Sequence, residues 1–168
     1  MTQHLVLTVI GDDRPGLVEA LSDVVVAHEG SWSESRMAHL ADKFAGIVTV
    51  EVPREQEQSL IQALEALSSV GLKVSAEKAS HVAKLGESAM LSVMGNDRTG
   101  IIREVSKTLS GLGANVRDLN SYCEPAPMSS EMLFKAELEI SLPDDVSIET
   151  LEAAVEEISS DLVVEIQK

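Results

Sequence analysis

Two short stretches of the chain bring glycine, carboxylate and guanidinium groups together. One is Gly11-Asp12-Asp13-Arg14-Pro15-Gly16-Leu17 and the other is Gly95-Asn96-Asp97-Arg98-Thr99-Gly100-Ile101. In each, an apolar run ends at a glycine, and a second glycine precedes an apolar pattern of helical spacing. The first N–H groups of a helix have no partner within it and form a ready seat for a carboxylate. Gly16 and Gly100 carry no side chain to hold a ligand away from the backbone. The oxygens of Asp12, Asp13, Asn96 and Asp97 can hold an ammonium group beside that seat. N–H donors and acidic acceptors together suit a zwitterion, such as a small amino acid, better than a phosphate. The same residues have a plainer use: Asp13 can cap a helix that follows a tight turn, with no ligand involved.

The elements that must position these residues occur twice. TVIGDDRPGLV (8–18) and SVMGNDRTGII (92–102) correspond at an offset of 84, while FAGIVTVEVP (44–53) and FKAELEISLP (134–143) correspond at 90. The second copy therefore holds six extra residues between its matched blocks. A repeat of this length is a small domain, not a solenoid unit. Leu5, Leu7 and Val9 alternate with Val6, Thr8 and Ile10, which predicts a short strand ending at Gly11. Leu17, Leu21, Val24 and His28 then predict a helix closed by Gly30, answered in copy two by Ile101, Val105, Leu109 and Leu112. Strands over 31–40 and 43–52 follow, joined near Ala41-Asp42-Lys43. A helix over 55–69, with Leu60, Leu64 and Leu67 inward, leads to a last strand over 72–82. Copy two ends likewise, with Leu151, Val155 and Ile158 and then Leu162–Ile166.

In copy two, Phe134, Ala136, Leu138, Ile140 and Leu142 face one way, and Lys135, Glu137, Glu139 and Ser141 the other. That alternation predicts an antiparallel sheet covered on one face. The class is α+β: two ferredoxin-like βαββαβ units, each with its helices on one face of the sheet. The expected domains are residues 1–82 and 86–168, packed together because the connector near Lys84-Leu85-Gly86 is short.

Composition excludes several functions for such units. The 168 residues hold 13 Lys+Arg against 28 Asp+Glu, a formal charge of −15. Trp32, Tyr122, Phe44 and Phe134 are the only aromatic residues. A chain so acidic repels phosphate backbones and has no platform for stacking bases, so direct nucleic-acid binding is excluded. A single cysteine, Cys123, rules out an intramolecular disulfide and a cysteine-based zinc cage; it reads as a packed thiol. His4, His28, His39 and His81 are scattered and pair with no nucleophile motif. An acylphosphatase-like enzyme would use Arg14 or Arg98 to hold a phosphate, although Asp12 and Asp13 oppose a polyanion there. No apolar run is long enough for a secretory leader or a membrane span, so a cytoplasmic protein is expected. Asn115, after Gly113-Ala114, opens the second strand of copy two and can reach a ligand or end a turn. Ser31 takes its place in copy one, after Gly30.

The βαββαβ repeat with its Gly-(Asp/Asn)-Asp-Arg-(Pro/Thr)-Gly-(Leu/Ile)-(Val/Ile) loop resembles the ACT domain, the amino-acid-binding regulatory module. The whole chain, two such units and no catalytic domain, resembles the glycine cleavage system transcriptional repressor family; the block from His4 to Pro53 carries the likeness most. Formyltetrahydrofolate deformylases have a similar loop but continue into a hydrolase domain for which these 168 residues leave no room. The resemblance implies that units pair side by side, with ligands at the seam. On that pattern the ligand-binding residues are Asp12, Asp13, Arg14, Pro15, Gly16, Leu17 and Ser31, with Asn96, Asp97, Arg98, Thr99, Gly100, Ile101 and Asn115. It further implies no catalytic residue, metal or cofactor, a small amino-acid effector in the form of glycine, and repression by contact with a LysR-type activator, relieved by glycine. A homodimer is compatible with it. The extra segment of copy two, Cys123 with the loop over 124–130, reads as a hairpin extension, with a partner contact or a lid as the alternatives.

Overall fold

The computed structural model describes residues 1–79 and 87–167. The connector at 84–86 and His81 lie outside the described residues. The chain divides into two compact units, Met1–His81 and Val82–Lys168. In the first, β1 (Thr2–Asp12), α1 (Leu17–Ala27), β2 (Ser31–Leu40), β3 (Lys43–Pro53), α2 (Glu57–Ala66) and β4 (Leu72–Lys78) follow one another. The second repeats the order with β5 (Glu87–Asn96), α3 (Ile101–Gly111), β6 (Asn115–Pro125), β7 (Met132–Leu142), α4 (Ile148–Glu156) and β8 (Val163–Gln167). The sheets are antiparallel, ordered β2-β3-β1-β4 and β6-β7-β5-β8. Each unit is the expected ferredoxin-like βαββαβ sandwich of α+β class.

Alternation builds each core. In unit 1, Leu5, Leu7 and Val9 of β1 and Val48, Val50 and Val52 of β3 point to one face. There they meet Leu17, Leu21 and Val25 of α1 and Leu60 and Leu64 of α2. Unit 2 does the same with Leu91, Val93, Ala136, Leu138 and Ile140 under Ile101, Val105, Leu109, Leu151 and Val155. These side chains are aliphatic and almost wholly buried, each stabilising its unit by about 1.5–3 kcal/mol for the larger residues.

Several boundaries differ from the sequence reading. β1 is a full eleven-residue strand. The second helix of unit 1 is a shorter α-helix flanked by 3-10 turns at Arg54–Gln56 and Leu67–Val70. β4 stops at Lys78, and residues 80–82 lie outside the described residues. In α1 the third buried position is Val25, with Val24 only partly buried, because the spacing from Leu21 continues by four. Gly30 does not supply the left-handed residue that ends α1: Glu29 takes it, at φ 56°. Gly30 is needed for space, since a Cβ there would lie 2.8 Å from the Val25 carbonyl. In unit 2 the matching left-handed residue is Gly113, at φ 73°, and Ala114 fits where Gly30 stood. Ala41 and Asp42, both at positive φ, make the two-residue β2–β3 turn. The matching β6–β7 link is longer, and Ala126 N–H donates to the Glu131 carbonyl across it at 2.9 Å. Among the described residues, no helix is long and apolar enough to cross a membrane.

Candidate functional site

The glycines of each loop do two different jobs. Gly11, one residue before the end of β1, lies against the turn entering β4: a Cβ there would come within 2.7 Å of the Gly71 carbonyl. Gly95 packs likewise, 2.7 Å from Leu162 Cδ2 and 3.1 Å from the Asp161 carbonyl. Gly16 and Gly100 precede the helices at φ 92° and 95°, a conformation that other residues adopt only with strain. Backbone geometry alone therefore accounts for the second glycine. At Gly16 the space a Cβ would occupy is also open, with nothing within 4 Å.

Asp13 is not the helix cap. The N-cap positions of α1 and α3 are Gly16 and Gly100, and no side chain caps either helix. The first helical bonds run from Ala20 N–H to the Gly16 carbonyl and from Glu104 N–H to the Gly100 carbonyl, at 2.9 and 3.0 Å. The N–H groups of Leu17, Val18 and Glu19, and of Ile101, Ile102 and Arg103, thus precede any possible helical acceptor. α4 is built differently: the Ser147 hydroxyl accepts from Thr150 N–H at 3.2 Å. Asp13 and Asp97 instead tie the loop to the facing hairpin through their own N–H groups, which donate to the carbonyls of Asp42 (3.0 Å) and Met132 (2.8 Å).

The loop side chains have partners that differ between units. Asp12 pairs with Lys43, which holds its carboxyl below the usual range. Asp13 Oδ2 lies 3.6 Å from His39 Nε2. Arg14 donates through Nη2 to the Val70 carbonyl. In unit 2, Asp97 meets the Cys123 thiol; desolvation and that carboxylate hold the thiol above its ordinary pKa. The Asp161 carboxyl titrates below its ordinary range, chiefly through the Ser159 hydroxyl, with the Asn96 backbone N–H and the Arg98 charge adding to it. Arg98 is held by Glu104 through two parallel bonds, Nη1–Oε1 at 3.1 Å and Nη2–Oε2 at 2.6 Å. That contact lowers the Glu104 pKa and raises that of Arg98. Pro15 and Thr99 stand at matching turn positions before the second glycines, and Leu17 and Ile101 anchor the first helical turns in the cores. A shallow cavity of about 250 Å³ opens at the unit 1 loop, lined by Asp13, Arg14, Gly16, Leu17, Val18, Glu19 and Phe44.

His39 and Cys123 escaped the sequence reading as loop partners. They sit at matching ladder positions, opposite Phe44 and Phe134, the two phenylalanines that align at the offset of 90. Cys123 is exposed, not packed, and belongs to the β6 ladder, so the extra residues of copy two lie beyond it.

Ser31 and Asn115 stand apart from the loops of their own units. Ser31 pairs with Glu51 and thereby lies level with His4, while Asp12 lies level with Lys43 at the other end of the sheet. Eight residues of strand separate those levels, about 26 Å. Asn115, level with Ser141 and Ser88, is as far from Asn96. Within one unit, therefore, Ser31 and Asn115 do not meet the loops.

Residues 3–77 match the family model of the ACT domain. A structure from Galdieria sulphuraria, called an unknown protein, is 31% identical over 99% of this chain and 98% of its own, with a TM-score of 0.87. The first unit is an ACT domain and the second repeats its fold, so the chain is tandem ACT-like. A second solved structure, called "putative glycine cleavage system transcriptional repressor", aligns over 100% of this chain and 99% of its own with a TM-score of 0.71. Its identity is 15%, so that likeness is one of fold. No curated protein sequence matches this tandem ACT-like chain.

Proposed function

We propose that this protein is an amino-acid-responsive regulator, a transcriptional repressor of the glycine cleavage system. It acts in the cytoplasm by contact with a LysR-type activator and is relieved by glycine. The observation that carries the ligand-sensing part is the pair of helix starts without a side-chain cap, each behind a left-handed glycine. The same chain caps α4 with a serine. Aspartates stand within three residues of Gly16 and Gly100 and do not cap, which leaves the seat to a carboxylate from outside. Ser31 and Asn115 complete such a seat when another ACT unit supplies them. The repressor part rests on the full-length likeness of fold to the protein carrying that name and on the charge of −15. An acidic protein acting at a promoter does so through another protein.

The reading assigns no catalysis: the loop carboxylates oppose a phosphate, and Glu104 already occupies Arg98. Capture of partners from a lysate of the source organism, with and without glycine, tests the regulator. A LysR-type protein released by glycine supports it; the same partners in both conditions, with no such activator, refute it. Turnover of benzoyl phosphate that is lost in Arg14→Ala or Arg98→Ala would replace it by an acylphosphatase-like enzyme.

A further inference from the structure

The two loops share a glycine, an aspartate, an arginine and a second glycine at matching positions but not their electrostatics. Arg98 meets a carboxylate, Glu104, through both of its terminal nitrogens, the geometry by which guanidinium recognises a carboxylate. Asp161 adds a second negative charge that acts on the same guanidinium. At the repeat offset of 84, the residue matching Glu104 is Ala20. Both donate their N–H to the N-cap glycine carbonyl, so they occupy the same place on the first turn. Asp161 is matched by Gly71, since each supplies the carbonyl that packs on the glycine one residue before the strand end. Gly71 lies against Arg14, with 3.8 Å between Nη2 and the place of its absent Cβ. Both acidic positions of unit 2 therefore carry no charge in unit 1. Among the described residues Arg14 has no ion-pair partner within 4 Å: it donates to the Val70 carbonyl, and the Asp12 carboxylate, which Asn96 replaces in unit 2, acts on it from farther off while itself paired with Lys43.

We infer that Glu104 is a built-in substitute for a ligand carboxylate, which closes the unit 2 loop and leaves the Arg14 loop of unit 1 as the one open to an amino acid. The inference rests on the amino-acid-sensor reading above and adds to it which loop binds and which residue decides. It also gives Ala20 a purpose: any acidic side chain there would take Arg14 from the ligand.

Calorimetric titration of glycine into the full chain tests it through the number of sites. The expected result is one site per chain in the parent, lost in Arg14→Ala and kept in Arg98→Ala. Glu104→Ala combined with Asp161→Gly gives unit 2 the residues of unit 1 at these two positions and is expected to raise the count to two. Ala20→Glu gives unit 1 the residue of unit 2 and is expected to remove the parent site. Melting followed by circular dichroism establishes that each variant is folded, and the two exchanges test the idea independently. Two sites in the parent, or a site kept in folded Ala20→Glu, would overturn the inference and leave the sensor reading standing. A count that stays at one in the unit 2 variant would also overturn it. No glycine uptake by the parent or by any variant would remove the sensor reading itself.

Discussion

At the scale of single residues, the structure separates two reasons for glycine that look identical in GDDRPG. Gly11 has no room for a Cβ because a backbone carbonyl stands 2.7 Å away, and a carbonyl in a sheet-entering turn cannot swing aside. Gly16 has room and a positive φ. Gly11→Ala is therefore expected to cost about 3 kcal/mol by overpacking, and Gly16→Ala about 1 kcal/mol by left-handed strain, as read from urea denaturation. A valine at Gly16 strains the backbone as well as filling the loop, so loss of binding in that variant would not by itself locate the ligand. The charged residues give a second expectation. Asp12, Glu104 and Asp161 all titrate below the ordinary carboxylate range, through hydrogen bonds from Lys43, Arg98 and Ser159 respectively. A lowered folded pKa contributes stability that is complete above the unfolded value near 4 and is lost as pH falls through the folded one. Thermal melts are expected to hold steady from about pH 7 to about pH 5 and to drop below about pH 4, by a small amount because these pairs are exposed. Glu104→Gln should make that drop shallower.

At the scale of elements, what the sequence makes legible is periodicity, and what it hides is which neighbour satisfies an end. The alternation of Leu5, Leu7 and Val9, or of Phe134 through Leu142, has one physical meaning once a single face is buried, and the strands lie where that pattern puts them. Helix ends are less determined. Asp13 before an apolar helical pattern fits a cap by type and position, yet its N–H is drawn to Asp42 across the hairpin, and Gly16 begins α1 instead. Likewise Gly30 looks like a left-handed stop, but the chain turns one residue earlier at Glu29. Ser31 and Asn115 show the same limit: nothing local tells that a strand start lies a full sheet length from the preceding loop. The capping difference is testable. Ser147→Ala removes a formed cap and is expected to destabilise the protein by about 1 kcal/mol, whereas Asp97→Ala removes none and should cost less. Equal losses in urea melts would mean that Asp97 supports α3 after all.

At the scale of the whole molecule, duplication is what makes the loops informative, since each unit serves as a control for the other. A residue kept in both, such as Arg14 and Arg98, marks the shared frame; a residue changed in one, such as Ala20 against Glu104, marks what that unit does differently. The same view bounds the strength of any response to glycine. Glycine has five heavy atoms, and the best very small ligands gain at most about 1.5 kcal/mol for each. The ceiling is then about 7.5 kcal/mol, a dissociation constant no tighter than a few micromolar. Several features here keep the protein below that ceiling. The loop cavity is shallow, Arg14 already spends one donor on Val70, and Asp12 is committed to Lys43. A net charge of −15 gives no general attraction to a carboxylate. The expected dissociation constant is therefore tens of micromolar to millimolar, the range in which a sensor of an abundant metabolite can still be emptied. Calorimetry on the full chain checks this directly. Sub-micromolar glycine binding would require contacts that these loops, open as they are within one unit, do not contain, and would place the ligand elsewhere.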